Sequence, residues 1–214
     1  MINNLLELSQ KHFPNLKIKY KDQSSFMKLL GNVLFFNKEF MTSYTTTIGS
    51  TIYFPNEKYL NIRPISSVIV LLHELVHLHD SKRLTSPLFS FLYLSPQILA
   101  LLFFPLLLIS WKLALPFLLF ALPLPSFFRM YFEKRAYLSS LYVTYQLSKK
   151  KGFNSSLESH KNFFLKQFKG GYYYFMWTFS LTKEFDEALV KINNGQRPFE
   201  DPVFDILDDL ISKL

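Results

Sequence analysis

The sequence predicts an α+β fold that is mostly α: a small N-terminal α/β portion with a β-hairpin, an apolar helix, a hydrophobic helical hairpin and a C-terminal helical portion. Three observations predict it. Two β-prone runs, Phe40 to Ile48 and Thr51-Ile52-Tyr53-Phe54, flank Gly49-Ser50 and stand alone near the N-terminus. Ile69, Val70, Leu71, Leu72, Leu75, Val76 and Leu78 follow as a mostly buried helical stretch. From Leu84 to Phe128 the chain then carries one charge, Lys112.

Taken in order, residues 2 to 12 read as a short amphipathic helix, and Leu16-Lys17-Ile18-Lys19-Tyr20 alternates like a strand. The two β-prone runs form the hairpin, which Pro55 ends. Pro64 suits the first turn of the next helix. The apolar stretch 84–128 is 45 residues long, enough for two membrane crossings of about 20 residues with a tip at Trp111-Lys112. Six of the 11 prolines fall in it (Pro87, Pro96, Pro105, Pro116, Pro123 and Pro125), so its helices are expected to be kinked or short and a re-entrant hairpin is an alternative. After it, a helix runs through Glu133, Leu138 and Leu141 and ends at Lys149-Lys150-Lys151-Gly152. Ser156 to Phe168 and Thr182 to Ile192 read as further helices, the second stopped by Asn193-Asn194-Gly195. Between them Gly170 to Trp177 is an aromatic cluster, for which core packing is the commoner use. The tail from Glu200 to Leu214, with five acidic residues and one lysine, is expected to be a solvated amphipathic helix, with a dock onto the basic portion of the chain as the alternative. Boundaries follow at 1–63, 64–148 (hairpin 86–128) and 149–214, three portions of one unit.

Composition narrows the function classes. The chain has 214 residues, 49% apolar and 18% aromatic, with 24 Phe and 12 Tyr, richer than an ordinary soluble domain. It has no cysteine, which excludes disulfides, thiolate ligands and cysteine nucleophiles. The start lacks the basic stretch and apolar core of a secretory signal, and Lys82, Arg83, Arg129, Lys134 and Arg135 flank the hairpin. Both flanks are therefore expected on the cytoplasmic side of a membrane, with the lipid bilayer as a partner. Basic residues near an anionic leaflet also account for the net charge of +8, and no nucleic-acid partner is expected.

The most specific motif is His73-Glu74-Leu75-Val76-His77. At about 100° per residue, positions four apart differ by only ~40°, so both imidazoles leave one helix face and can hold one ion. Glu74 lies about a quarter-turn away, placed to take a proton from water activated by that ion. One Zn2+ per chain, the metal most suited to this set, lowers the pKa of its water to roughly 7 and polarises a carbonyl, so peptide bonds can be hydrolysed without a covalent intermediate. A catalytic zinc takes three protein ligands, and Glu133 is the best third, because a hairpin returns the chain to where it left. Asp80 returns to the same stripe as His73 and His77 and is a candidate to orient an imidazole, or a residue of the last helical turn. Tyr137, His160, Arg135 and Arg197 are candidate donors to a developing oxyanion.

His73 to His77, a hydrophobic hairpin and then Glu133-x-x-Ala136 together resemble the membrane-embedded gluzincin peptidases of the HtpX and CAAX-prenyl-processing type. The resemblance covers roughly residues 40 to 145. It implies a membrane-anchored zinc endopeptidase with Glu133 as third ligand, and an edge strand beside the active-site helix, here Thr51-Ile52-Tyr53-Phe54, that takes a peptide substrate in extended form. Where the family has Asp after Ala, this chain has Tyr137, so the contact that Asp supplies must come from elsewhere, with Asp80 a substitute. The rival reading is a non-catalytic membrane protein with a structural or regulatory zinc, its fourth ligand Asp80 or His160, and a hairpin that docks to or perturbs a membrane partner.

Overall fold

The computed structural model describes residues 2–34, 37–62, 64–169 and 176–214. The architecture is α+β and mostly helical, as the pattern of the sequence requires. Helix α1 (Ile2–His12) leads into strand β1 (Lys17–Tyr20) and helix α2 (Ser25–Val33), then strands β2 (Thr46–Ile48) and β3 (Thr51–Phe54). Gly49, at φ 58°, supplies the left-handed residue that the tight β2–β3 turn needs. The sheet order is β1-β3-β2, with β3 parallel to β1 and antiparallel to β2. β3 is thus the central strand, its backbone paired on both sides. This corrects the expectation that Thr51, Ile52, Tyr53 and Phe54 form an open edge; of the two edges, β2 is the one that packs on the motif helix.

Helices α3 (Glu57–Ile62) and α4 (Pro64–Leu84) follow, and α4 is the axis of the molecule. It packs along α8 (Phe127–Lys151), the longest helix among the described residues. Ser126 caps α8 by accepting the Arg129 N–H at 3.3 Å, and Gly152 ends it at φ 70°. Ala136, Ser139 and Ser140 are small and buried, so the backbones of α4 and α8 can approach closely. Around this pair stand α9 (Leu157–Lys169), α10 (Leu181–Asn193) and α11 (Val203–Ser212). One apolar core joins Leu5, Ile52, Phe54, Leu71, Leu75, Leu141, Phe185, Phe204 and Leu210. The acidic tail is therefore no solvated helix: α11 buries Val203, Phe204, Leu207, Leu210 and Ile211, and its acids lie on the opposite face or pair with basic neighbours. Most of the aromatic cluster at 170–177 lies outside the described residues; Met176 is buried beside Ser126.

Between α4 and α8 the apolar stretch forms an arm of short pieces: α5 (Ser86–Leu94), a 3-10 turn at Gln97–Leu102, α6 (Phe103–Leu107), α7 (Trp111–Ala114) and a 3-10 stretch at Leu115–Ala121. The two limbs pack on each other, with the tip near Leu108 and Ile109. Among the described residues no single helix is long and apolar enough to cross a membrane, and the pair Ser86–Leu94 with Gln97–Leu107 bends by 95°. The rise of the segment 97–107 amounts to about 20 Å, against the ~30 Å of a hydrocarbon core. The prolines are the cause, since each one inside the stretch removes an amide donor and crowds the preceding turn. The expectation of a membrane-anchored chain with two helical crossings, on which the cytoplasmic facing of the site rested, is corrected accordingly: only the bent pair has the combined length and composition of a span, and it is broken.

Candidate metal centre

α4 presents His73 and His77 on the face that meets α8, and α8 presents Glu133 to them. His73 Nε2 lies 3.6 Å from Glu133 Oε2, and His77 Nε2 lies 3.5 Å from Oε1. All three ligand atoms fall within 4.8 Å of one another. Four-coordinate zinc with bonds of roughly 2.0–2.2 Å separates its ligand atoms by about 3.4 Å. The cluster thus fits a tetrahedral cation with little movement. Glu133 Oε2 is buried without a hydrogen-bond partner, an arrangement that costs free energy unless a cation uses the oxygen.

Burial alone would disfavour charge on His77 and Glu133, but their mutual attraction prevails. The carboxylate raises the pKa of the His77 imidazole, and the two imidazoles hold Glu133 well below the usual carboxylate range. Positive charge at this point is what the buried carboxylate demands, and a divalent cation supplies it as well as a proton does.

The surroundings fix the His73 imidazole. Ser140 donates its hydroxyl to the Ala136 carbonyl at 2.9 Å, leaving its oxygen to accept Nδ1–H of His73 at 3.2 Å. That tautomer leaves the Nε2 lone pair for a metal. Ser140 therefore fills the role for which Asp80 was a candidate. Asp80 instead receives Arg135 through two bonds, Nε to Oδ2 at 3.1 Å and Nη2 to Oδ1 at 2.9 Å, while Nη2 also reaches Asp201 Oδ2 at 3.0 Å. This buried ion network ties the start of α11 to α4 and α8, and both Asp80 and Arg135 are spent on it. Tyr137 lies edge-on to His73 with ring centroids 4.8 Å apart, and stacks against Phe164 and Phe168. His160 bonds the Ser156 carbonyl at 2.9 Å at the start of α9, and Arg197 pairs with Asp205 and Asp208. Neither His160 nor Arg197 belongs to the triad.

Three further residues at the site gave no signal in the sequence. Thr47 of the edge strand β2 donates its hydroxyl to Glu74 Oε2 at 2.7 Å, restraining the candidate base. Tyr93 of α5 donates to Glu133 Oε1 at 2.5 Å; burial and then the neighbouring carboxylate push its pKa well up, so it stays a neutral donor. Lys21 is fully buried, with Nζ 2.6 Å from the Phe40 carbonyl and over the Phe40 ring. Burial lowers its pKa to about 7, against the pull of the Glu74 carboxylate. Ser140 had a usable signal, because it stands seven residues after Glu133 on the same helix stripe.

A cleft of about 500 Å³ is lined by Phe13, Gly49, Leu78, Lys82 and Thr85, and none of the triad lines it. No family model, curated protein or solved structure matches the chain. The resemblance to membrane-embedded gluzincin peptidases is corrected to its local part: a His73, His77 and Glu133 cluster able to hold a metal ion is present, and among the described residues no single helix is long and apolar enough to cross a membrane.

Proposed function

We propose that the chain is a zinc endopeptidase in which His73, His77 and Glu133 hold the ion and Glu74 is the general base. The observation that carries this reading is the meeting of three ligand atoms from two helices, with a carboxylate next to His73 in the sequence and no fourth histidine or carboxylate in the cluster among the described residues. Asp80 and His160, the side chains that would close the site, are engaged elsewhere. An open coordination position is the mark of a catalytic site and weighs against a structural zinc.

When bound, the cation supplies Lewis acidity to the scissile carbonyl and to the attacking water. Glu74 accepts the proton from that water and returns it to the departing amine nitrogen, as an acid–base residue must over one cycle. Thr47 holds one oxygen of Glu74 so that the carboxylate keeps its aim. A substrate strand added to β2 would lie beside Glu74, and strand addition needs only open backbone groups. The test is Glu74→Gln. The variant is expected to keep one Zn2+ per chain and to lose cleavage of an unstructured peptide by roughly 10²- to 10⁴-fold. Unchanged turnover would remove the mechanism.

A further inference from the structure

Glu133 has two oxygens near the imidazoles, and their surroundings differ. Oε1 accepts the Tyr93 hydroxyl at 2.5 Å, whereas Oε2 is buried without a hydrogen bond and lies 3.6 Å from His73 Nε2. The donor comes from the apolar arm and is itself clamped. Arg129 of α8 donates through Nε to the Tyr93 carbonyl at 3.1 Å and carries its guanidinium 5.5 Å from the Tyr93 ring centre. The ring stands edge-on to His77 at 6.1 Å and against Phe89 at 5.8 Å. Ser126 Oγ also donates to the Ser95 carbonyl at 2.5 Å, joining the end of α5 to the cap of α8. The arm is thus fastened to the helix that carries Glu133, at the level of Glu133.

We propose that Tyr93 is a positioning residue that holds Glu133 Oε1 and thereby presents Oε2 as the single ligand oxygen. This role rests on the metal-site reading above. A carboxylate free to rotate can offer one oxygen or both, and each geometry fills a different share of the coordination sphere. A hydrogen bond to Oε1 selects one of them and keeps a position open for substrate and water. The phenol suits this task because it is neutral, rigid and directed, and its ring packs on the His77 ligand as well.

The experiment is Tyr93→Phe in the full-length chain, which keeps the ring contacts and removes only the hydroxyl. Zn2+ affinity is read by competition with a chromophoric chelator, and coordination by the visible spectrum of the Co2+-loaded protein. The expected result is one metal per chain, bound about 10- to 100-fold more weakly, with a Co2+ spectrum shifted from that of the unsubstituted protein. Equal affinity and an identical spectrum overturn the proposal. So does weaker binding with an unchanged spectrum, which would signal loosened packing alone. A phenolate-to-copper absorption band in the Cu2+-loaded unsubstituted protein overturns it too, because Tyr93 would then be a ligand. Failure of the unsubstituted chain to bind Zn2+, or binding by Glu133→Gln equal to it, sinks the metal-site reading itself and is distinguishable from each of these.

Discussion

The α4–α8 pair and the arm at 86–125 are both rich in apolar residues, yet they use them in opposite ways. In the pair, Leu71, Leu75, Leu141 and Ala136 are fully buried and surround polar groups that bond one another. On the arm, Leu108 is 90% and Ile109 is 74% exposed, and Phe104, Trp111 and Leu119 are exposed as well. Apolar content alone does not make a core or a span; a side chain is buried only where the backbone can bring another surface to it. α4 has no proline beyond its first turn and finds α8 along its length, whereas the arm is cut into pieces of four to nine residues. It meets the metal cluster at its base, where Tyr93 bonds Glu133 and Phe89 packs beside His77.

Four substitutions test that contrast, beginning with the largest expected effect. Arg135→Ala leaves Asp80 buried without its guanidinium partner and Asp201 with the exposed Arg83 at 3.3 Å, and a loss of about 3 to 5 kcal/mol is expected in urea unfolding. A loss below 1 kcal/mol would mean that water already reaches the network.

Lys21 comes next, through pH. Its pKa falls to about 7 in the folded chain, so above that pH and up to the ordinary lysine range the unfolded chain binds a proton that the folded chain does not. Stability is then expected to rise with pH across this window, by a few kcal/mol at most. Lys21→Met should lack that rise. The measurement is the difference between the two proteins, which cancels the opposite contribution of His77, whose raised pKa favours the folded state at lower pH. Parallel stability curves would contradict the assignment.

Ser140→Ala removes the acceptor for His73 Nδ1, and Zn2+ affinity should fall about tenfold with unfolding of the metal-free chain little changed. Calorimetry of metal binding checks it. The smallest effect is expected on the arm: Leu108→Ser should change stability by less than ~0.5 kcal/mol and leave Zn2+ affinity alone. A larger change in either quantity would show that the tip of the arm is covered by part of the folded chain.

Much of this was legible from residues. The motif gave two imidazoles on one face because helical periodicity is local, and the helix ends at Gly152 and after Asn193 follow from their own side chains and backbone freedom. Helix α2 carries Phe26, Leu29, Leu30 and Val33 at helical spacing after its cap Ser24, although no helix was expected there, and the Phe40 to Ile48 run pairs only over Thr46–Ile48. The order of the strands was equally hidden, since β3 pairs with β1 across an intervening helix and loop, and no local pattern reveals which strand ends up in the middle.

The residues alone set the chemistry available: two histidines and a base on one helix, no thiol, and a carboxylate placed after an excursion that had to return. Tertiary structure decided how that chemistry is held. It assigned Ser140, rather than an acid, to His73, set Asp80 and Arg135 to a structural network, brought Thr47 to Glu74 and Tyr93 to Glu133, and left the arm short of a membrane span. The physical reason is one of range. Helix faces, caps and turns depend on residues within a few positions, whereas a hydrogen bond between Tyr93 and Glu133 exists only after α5 has turned back at Thr85, at φ 71°, and been clamped to α8 by Arg129.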